Sequence, residues 1–337
     1  MDTTLFDLVK NYKSLSISGM CKNAGKTTAF NSLIKSIPRK EVLALTSIGR
    51  DGEKTDLVTE TEKPDIYIYE GSVFATAEKL LKVCDVTKEI LETTNISTPL
   101  GEVVLVKALS DGYVQLAGPS IISQLINVSK LFLEQGADRV IIDGSVGRKS
   151  LCTRSLADAT ILCTGASFSQ SMDETIAETQ HICGILMTPE FPELKSQILS
   201  ETANSAEFSN SKYVILGSEN IYLPDGAQLS KALKQAKDPA FLYIEGALTD
   251  RLLDLMIRSG LPKGLTIVTP DASKLLISSE SLRKLNAANG QLGVLESINL
   301  AAVTINPFSA YGNHYDSAEF KQKMTAAVPV PVLNVLE

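Results

Sequence analysis

The sequence predicts an α/β protein in two parts: a mostly parallel sheet over residues 1–190, followed by a second, smaller α/β domain over residues 205–337. Short β-forming runs alternate with stretches of helical spacing along nearly the whole chain, the rhythm of βαβ units. The runs at 41–48 (EVLALTSI) and 138–145 (DRVIIDGS) keep their apolar residues together instead of alternating them with polar ones, as strands covered on both faces do. Between Pro189 and Ser211 a stretch rich in Pro, Ser, Asn and Glu interrupts the rhythm and places the boundary. At 337 residues the chain is too long for one small core.

Residues 4–12 have the spacing of a short amphipathic helix, and Ser14–Ser18 forms the first strand. Lys26–Ser36 follows, with Ala29, Phe30, Leu33 and Ile34 on one helical face and Pro38 closing it. Strands at 41–48 and 65–69 come next, then a long helical stretch over Val73–Thr93. Glu102–Gly118 reads as a β-hairpin turning at Ser110-Asp111-Gly112. Pro119 starts, and Gly136 ends, a helix through Ile121–Gln135. After the strand at 138–145, a strand at Ala159–Thr164, a helix at Met172–Ile182 and the segment Ile185–Met187 complete the first domain. In the second, strands at 213–216, 241–244, 265–268, 300–305 and 330–335 alternate with helices at 227–236 and 249–259 and a polar helical region reaching Gly290. A loop through Pro307 and Asn313 precedes the last strand.

The chemistry concentrates in Ser16–Phe30, SISGMCKNAGKTTAF, a strand that stops at Gly19 and a helix that starts at Lys26. A strand, a glycine-bearing loop and a helix N-terminus cradle phosphates, because loop N–H groups and the helix dipole both favour negative charge. Gly19, Lys22, Asn23, Ala24, Gly25 and Thr28 are the loop candidates for nucleotide contact. Lys26 is placed to bridge β- and γ-phosphates and Thr27 to ligate Mg²⁺. Five residues separate the two glycines, one more than the usual P-loop spacing, and Ala24 stands where that pattern has glycine. Two acidic strand tips complete the set. Asp143 ends the run DRVIID in the Walker B manner, a metal ligand, with Gly144 letting the backbone turn away beside the γ-phosphate. Asp51, in Gly49-Arg50-Asp51-Gly52-Glu53 after the second strand, is placed to reach the metal shell or orient water, with Glu53 and Asp56 as weaker candidates; Asp-Gly is equally a turn signal. Arg148 and Lys149 can reach phosphate or sit in a solvated loop. In the second domain the tips Glu245-Gly246-Ala247 and Asn306-Pro307-Phe308 read as loops, or as the wall of a ligand crevice.

A net charge of −7 leaves no basic stripe for nucleic acid. No run approaches a membrane span, and MDTTLFDLVKNYK is not a secretion signal. The five cysteines show no CxxC pairing and lie mostly in apolar runs, as reduced cytoplasmic thiols do. Cys21, beside lysine in the loop, is either a small residue that fits or a thiol lowered in pKa. Two histidines, His181 and His314, lie far from any ligand or triad pattern.

The lengthened Gly-x₅-Gly-Lys-Thr loop resembles that of dethiobiotin synthetase and the cobyrinate and cobyrate amidating enzymes. It is less similar to the deviant loop of the MinD and ArsA type, whose extra lysine would fall at Cys21. With Asp51 and Asp143, residues 1–190 resemble the SIMIBI class of P-loop NTPases, which implies a P-loop nucleotide-binding domain using ATP and Mg²⁺; no Asn-Lys-x-Asp motif for guanine is present. GMCKNAGKTT, SIGRDGE and IIDGSVGR together look like the KamB-type reactivase subunit of lysine 5,6-aminomutase. That resemblance implies a protein partner, a MutS-like ATPase, and a cobalamin-dependent aminomutase as client. Three functions follow as expectations: an ATPase switch or reactivation factor, an ATP-dependent ligase activating a carboxylate or carbamate, and a nucleotide-binding scaffold without turnover.

Overall fold

The computed structural model describes residues 4–49, 66–146 and 153–336. In chain order these form α1 (Leu5–Val9), β1 (Ser14–Gly19), α2 (Lys26–Ser36), β2 (Leu43–Ser47), β3 (Ile66–Ile68), β4 (Val73–Ala77), β5 (Lys88–Thr98), β6 (Gly101–Ala108), β7 (Gly112–Val114), α3 (Ile122–Glu134), β8 (Arg139–Val146), β9 (Ala159–Gly165) and α4 (Met172–Leu186). They continue with α5 (Pro192–Asn204), α6 (Ala206–Ser209), β10 (Tyr213–Leu216), β11 (Ile221–Leu223), α7 (Leu229–Gln235), β12 (Phe241–Ile244), β13 (Leu248–Thr249), α8 (Asp250–Arg258), β14 (Thr266–Asp271), β15 (Leu275–Leu276), α9 (Ser279–Ala287), β16 (Gln291–Glu296), β17 (Leu300–Asn306), α10 (Ser317–Ala327) and β18 (Val332–Asn334). No helix among the described residues is long and apolar enough to cross a membrane.

The chain divides into two compact units, Met1–Gln180 with Asn299–Glu337, and His181–Ile298. The division differs from the expected 1–190 and 205–337. The last 39 residues return to the first unit, where β17 pairs with β9 and β18 with β17.

In the first unit nine strands form one sheet in the order β18-β17-β9-β1-β8-β2-β4-β6-β5, parallel from β18 to β4 and antiparallel beyond. Alternate side chains on each strand serve opposite cores. Leu45, Phe74, Val104, Val106 and Ile141 share one with Ala29, Phe30, Leu33 and Ile34 of α2. Their neighbours Ala44, Val73, Ala75, Val103, Leu105, Val140 and Ile142 share the other with Leu125, Val128 and Phe132 of α3. A sheet buried on both faces explains the unbroken apolar runs.

Several expected elements are corrected. The helix at Val73–Thr93 is strand β4, a short 3₁₀ turn at Glu78–Val83, and most of β5. The hairpin is β5–β6, tightened at Gly101, and β7 pairs instead with β3. Ile185–Met187 is largely the end of α4, and Pro189–Ser211 carries two helices, the first opening with Pro192 in its first turn. Strand β16 and helix α10 were not expected.

Arg139 locks the start of β8 to the N-terminal helix. Its buried guanidinium donates to the Val9 carbonyl at 3.2 Å, the Lys10 carbonyl at 3.1 Å and the Tyr12 carbonyl, and pairs with Glu41 at 3.0 Å. These carbonyls lie at and beyond the end of α1, where helix geometry leaves acceptors unfilled. Arg139→Met is expected to destabilise the protein by about 3 kcal/mol, because it takes the ion pair from Glu41 and the guanidinium donors from the Lys10 and Tyr12 carbonyls at once, while the Val9 carbonyl keeps the Tyr12 N–H at 3.0 Å. Urea unfolding should show a lowered midpoint with an unchanged slope; an unchanged midpoint would refute the assignment.

The second unit has a sheet in the order β11-β10-β12-β14-β16, in which β12, β14 and β16 run parallel and β10 is antiparallel to both neighbours. Leu194, Ile198 and Phe208 from α5 and α6 cover Val214, Leu216, Val268 and Leu295. His181 is buried, with Nε2 2.9 Å from the Ile277 carbonyl, a packed histidine.

Candidate functional site

Strand β1 ends at Gly19 and α2 begins at Lys26, so the seam between them is where the sequence placed it. Two left-handed residues shape the intervening loop, Asn23 at φ 58° and Gly25 at φ 89°. Gly25 is the residue just before the helix, and no side chain caps α2. The first amides of this 11-residue helix, from Lys26 to Thr28, therefore lack an intrahelical partner, while Ala29 N–H takes the Gly25 carbonyl at 2.9 Å. Such an uncapped N-terminus, with its dipole, is suited to receive an anion.

Ala24 is buried at 2% exposure and packs into the core shared with α2. Its methyl group explains the departure from glycine at this position: the residue faces inward and leaves the loop's outer side to its neighbours. Cys21 packs against the same core, and burial pushes its thiol up to about 11. The protonated thiol therefore predominates near neutral pH, which favours the reading of a small residue that fits over that of a reactive one.

Lys26 folds back across the end of β1. A Cβ at Gly19 would stand 2.9 Å from its Cγ and Cδ, so only glycine leaves this path open. The Lys26 ammonium donates to the Gly144 carbonyl and lies 3.4 Å from Asp143 Oδ1. The β1–β8 register brings this about: Ile17 stands beside Asp143, and an irregularity then sets Gly19 beside Val146. Such irregularities re-aim side chains at strand ends. Strand β8 continues to Val146, so Asp143 is three residues short of the tip, and Gly144 does not turn the chain away but presents its carbonyl to Lys26.

Thr27 and Thr28 are half-buried in the first turn of α2, and neither hydroxyl has a hydrogen-bond partner among the described residues. Lys22 and Asn23 are exposed. Asp51, with Arg50, Gly52, Glu53 and Asp56, lies outside the described residues, as do Arg148 and Lys149. The strand that leads to Asp51 does reach the site: Ser47 registers with Asp143, and Ile48 N–H takes the Asp143 carbonyl at 3.0 Å. No group of three or more potential metal-binding side chains occurs among the described residues.

One residue beside the loop belongs to a strand tip that the sequence reads as a loop or as the wall of a ligand crevice in the second domain. Asn306, at the end of β17, donates from Nδ2 to the Asn23 carbonyl at 3.2 Å, and its Cβ would stand 3.1 Å from a Cβ at Gly25. Its carbonyl takes Ala166 N–H at 2.9 Å, and a Cβ at Gly165 would meet that same oxygen at 2.3 Å. The tips of β9 and β17 thus brace the loop from one side, and β8 holds Lys26 from the other. No local sequence signal links positions 23 and 306; only the return of the chain to the first sheet joins them.

Comparison with protein-family models, with curated proteins and with solved structures returned no match to this chain.

Proposed function

We propose that residues 19–28 are a P-loop and that the protein binds ATP with Mg²⁺ and hydrolyses it as a nucleotide-driven switch. The observation that carries this reading is the convergence of an uncapped helix N-terminus, the Lys26 ammonium and Asp143 at the end of one parallel strand pair. The residues present fit the pair of ligands. Loop amides and Lys26 suit the phosphates, and the unpartnered Thr27 hydroxyl and Asp143 suit the metal, with Asp51, four positions beyond Ser47 in the sequence, proposed as the further carboxylate. Bound Mg²⁺ supplies charge neutralisation at the phosphate oxygens.

The protein's own residues do the rest. Lys26, now engaged by Asp143 and Gly144, would exchange these contacts for phosphate oxygens, leaving the Asp143 carboxylate, with the Thr27 hydroxyl, as the residues that would hold Mg²⁺. The site therefore alternates between a lysine-closed and a nucleotide-held arrangement, and a difference of this kind is what a partner can read. The motifs GMCKNAGKTT, SIGRDGE and IIDGSVGR support a reactivation or chaperone factor for a cobalamin-dependent aminomutase as the form of that switch.

A second reading, an ATP-dependent ligase activating a carboxylate or carbamate, is favoured by one feature, the five-residue spacing between Gly19 and Gly25. Phosphate release separates the two. The switch reading expects release from ATP alone, stimulated by a protein partner. Release only when a carboxylate substrate is added would replace it with the ligase, and tight binding without any release would leave a scaffold.

A further inference from the structure

The second unit carries a cavity of about 640 Å³ between the start of β10 and the outer face of α8. Its volume lies in the range of small-molecule sites. Arg251 and Arg258 stand at its two ends, seven residues apart on α8 and so separated by roughly 10 Å along the helix axis. Between them on the helix lie Leu252, Asp254 and Leu255, the last 49% exposed, and Tyr213 also lines the cavity.

The charges are unevenly satisfied. Asp254, the one acid lining the cavity among the described residues, is paired with Lys284 at 3.6 Å. Neither arginine has an ion pair or a side-chain hydrogen bond among the described residues, and neither has the Tyr213 hydroxyl. The cavity thus has a guanidinium at each end, two leucines and a carboxylate already paired with Lys284 between them, and a free hydroxyl, in a chain whose net charge is −7. Two guanidinium forks are too few for a nucleic-acid backbone but match two carboxylates or phosphates one by one.

We infer that this cavity binds a small organic dianion whose two acidic groups are separated by an apolar or aromatic middle long enough to reach from Arg251 to Arg258. The site is separate from the proposed nucleotide site and does not depend on it.

The test is calorimetric titration of the full chain with α,ω-dicarboxylates from succinate to sebacate, and with octanoate as a one-ended control. Affinity should rise with length and peak among the longer diacids, at least about tenfold above both succinate and octanoate. Arg251→Gln and Arg258→Gln should each lower that peak by at least about tenfold, and Arg283→Gln, an exposed arginine on α9 outside the cavity, should leave it unchanged. Lys26→Ala should bind the diacids as the parent does. No saturable binding, binding without length dependence, binding indifferent to both substitutions, or binding of hexaglutamate but of no diacid would each overturn the inference.

Discussion

Lys26→Ala is expected to weaken Mg-ATP binding at least about a hundredfold while leaving the fold in place. Charge-assisted hydrogen bonds contribute about 1.5–3 kcal/mol each, and a hundredfold loss corresponds to about 2.7 kcal/mol, so the loss of one or two lysine–phosphate contacts suffices. The fold should survive because the pair Lys26–Asp143 retains solvent access, at 18% and 23% side-chain exposure. Water can replace the ammonium at Asp143, and unfolding by urea should shift by no more than about 1 kcal/mol. Asp143→Asn is expected to behave differently: it should retain part of the ATP affinity and lose its dependence on Mg²⁺. Unchanged ATP affinity in the lysine variant, with native circular dichroism, would remove Lys26 from the site.

Gly25→Val should be the most damaging change in the loop. Gly25 sits at φ 89°, where an L-residue is strained by about 1–3 kcal/mol and a β-branched one is strained most. Even the first carbon of the new side chain would stand 3.1 Å from Asn306 Cβ, pressing the loop away from its brace at β17. Both effects distort the turn that aims the α2 amides. The expected outcome is loss of measurable nucleotide binding together with a stability loss of about 2 kcal/mol. A variant that binds ATP like the parent would show that the left-handed turn and the Asn306 contact do not organise the site.

The parts of the fold that were legible are those whose structure is decided locally. The strand into Gly19, the helix over Lys26–Ser36 and the strand at 241–244 follow from apolar spacing and from breakers on either side. Helix α10 should have been legible too: Asp316 accepts from Glu319 N–H at 2.8 Å, the N-terminal signature of an acid followed three residues later by glutamate. What local pattern does not decide is which sheet a strand joins. Residues 300–306 and 332–334 look like any buried strands; the place of β17 beside β9 is fixed by pairing across more than a hundred residues, and β18 then joins the sheet through β17. Strand β5 was misread for a related reason. It lies at the sheet edge with two breaks in register, at Ile90–Glu92 and Thr93–Ser97, which erase the alternation that identifies a strand. Gly293 is similar: it reads as a strand breaker, but the strand needs it, because a Cβ there would meet the Phe191 ring at 2.6 Å.

The site shows the same division. Lys26 and Asp143 were recognisable from residue type and spacing, and their approach follows from the adjacency of β1 and β8. Ala24 looked like a departure from pattern because a sequence does not say which way a methyl group points; it points into the core. Asn306 reads in the sequence as a strand tip that could wall a crevice in the second domain; its contact with the loop follows only from the C-terminal strands joining the first sheet.

The central claim, that the Gly19–Thr28 loop holds a magnesium nucleotide, is tested most directly by isothermal titration of the parent protein with ATP, GTP and a non-hydrolysable ATP analogue, with and without Mg²⁺. The account predicts saturable, one-to-one binding of ATP and its analogue that strengthens with Mg²⁺ and exceeds binding of GTP. No heat of binding with any of the three nucleotides would contradict it and reduce the loop to a structural turn.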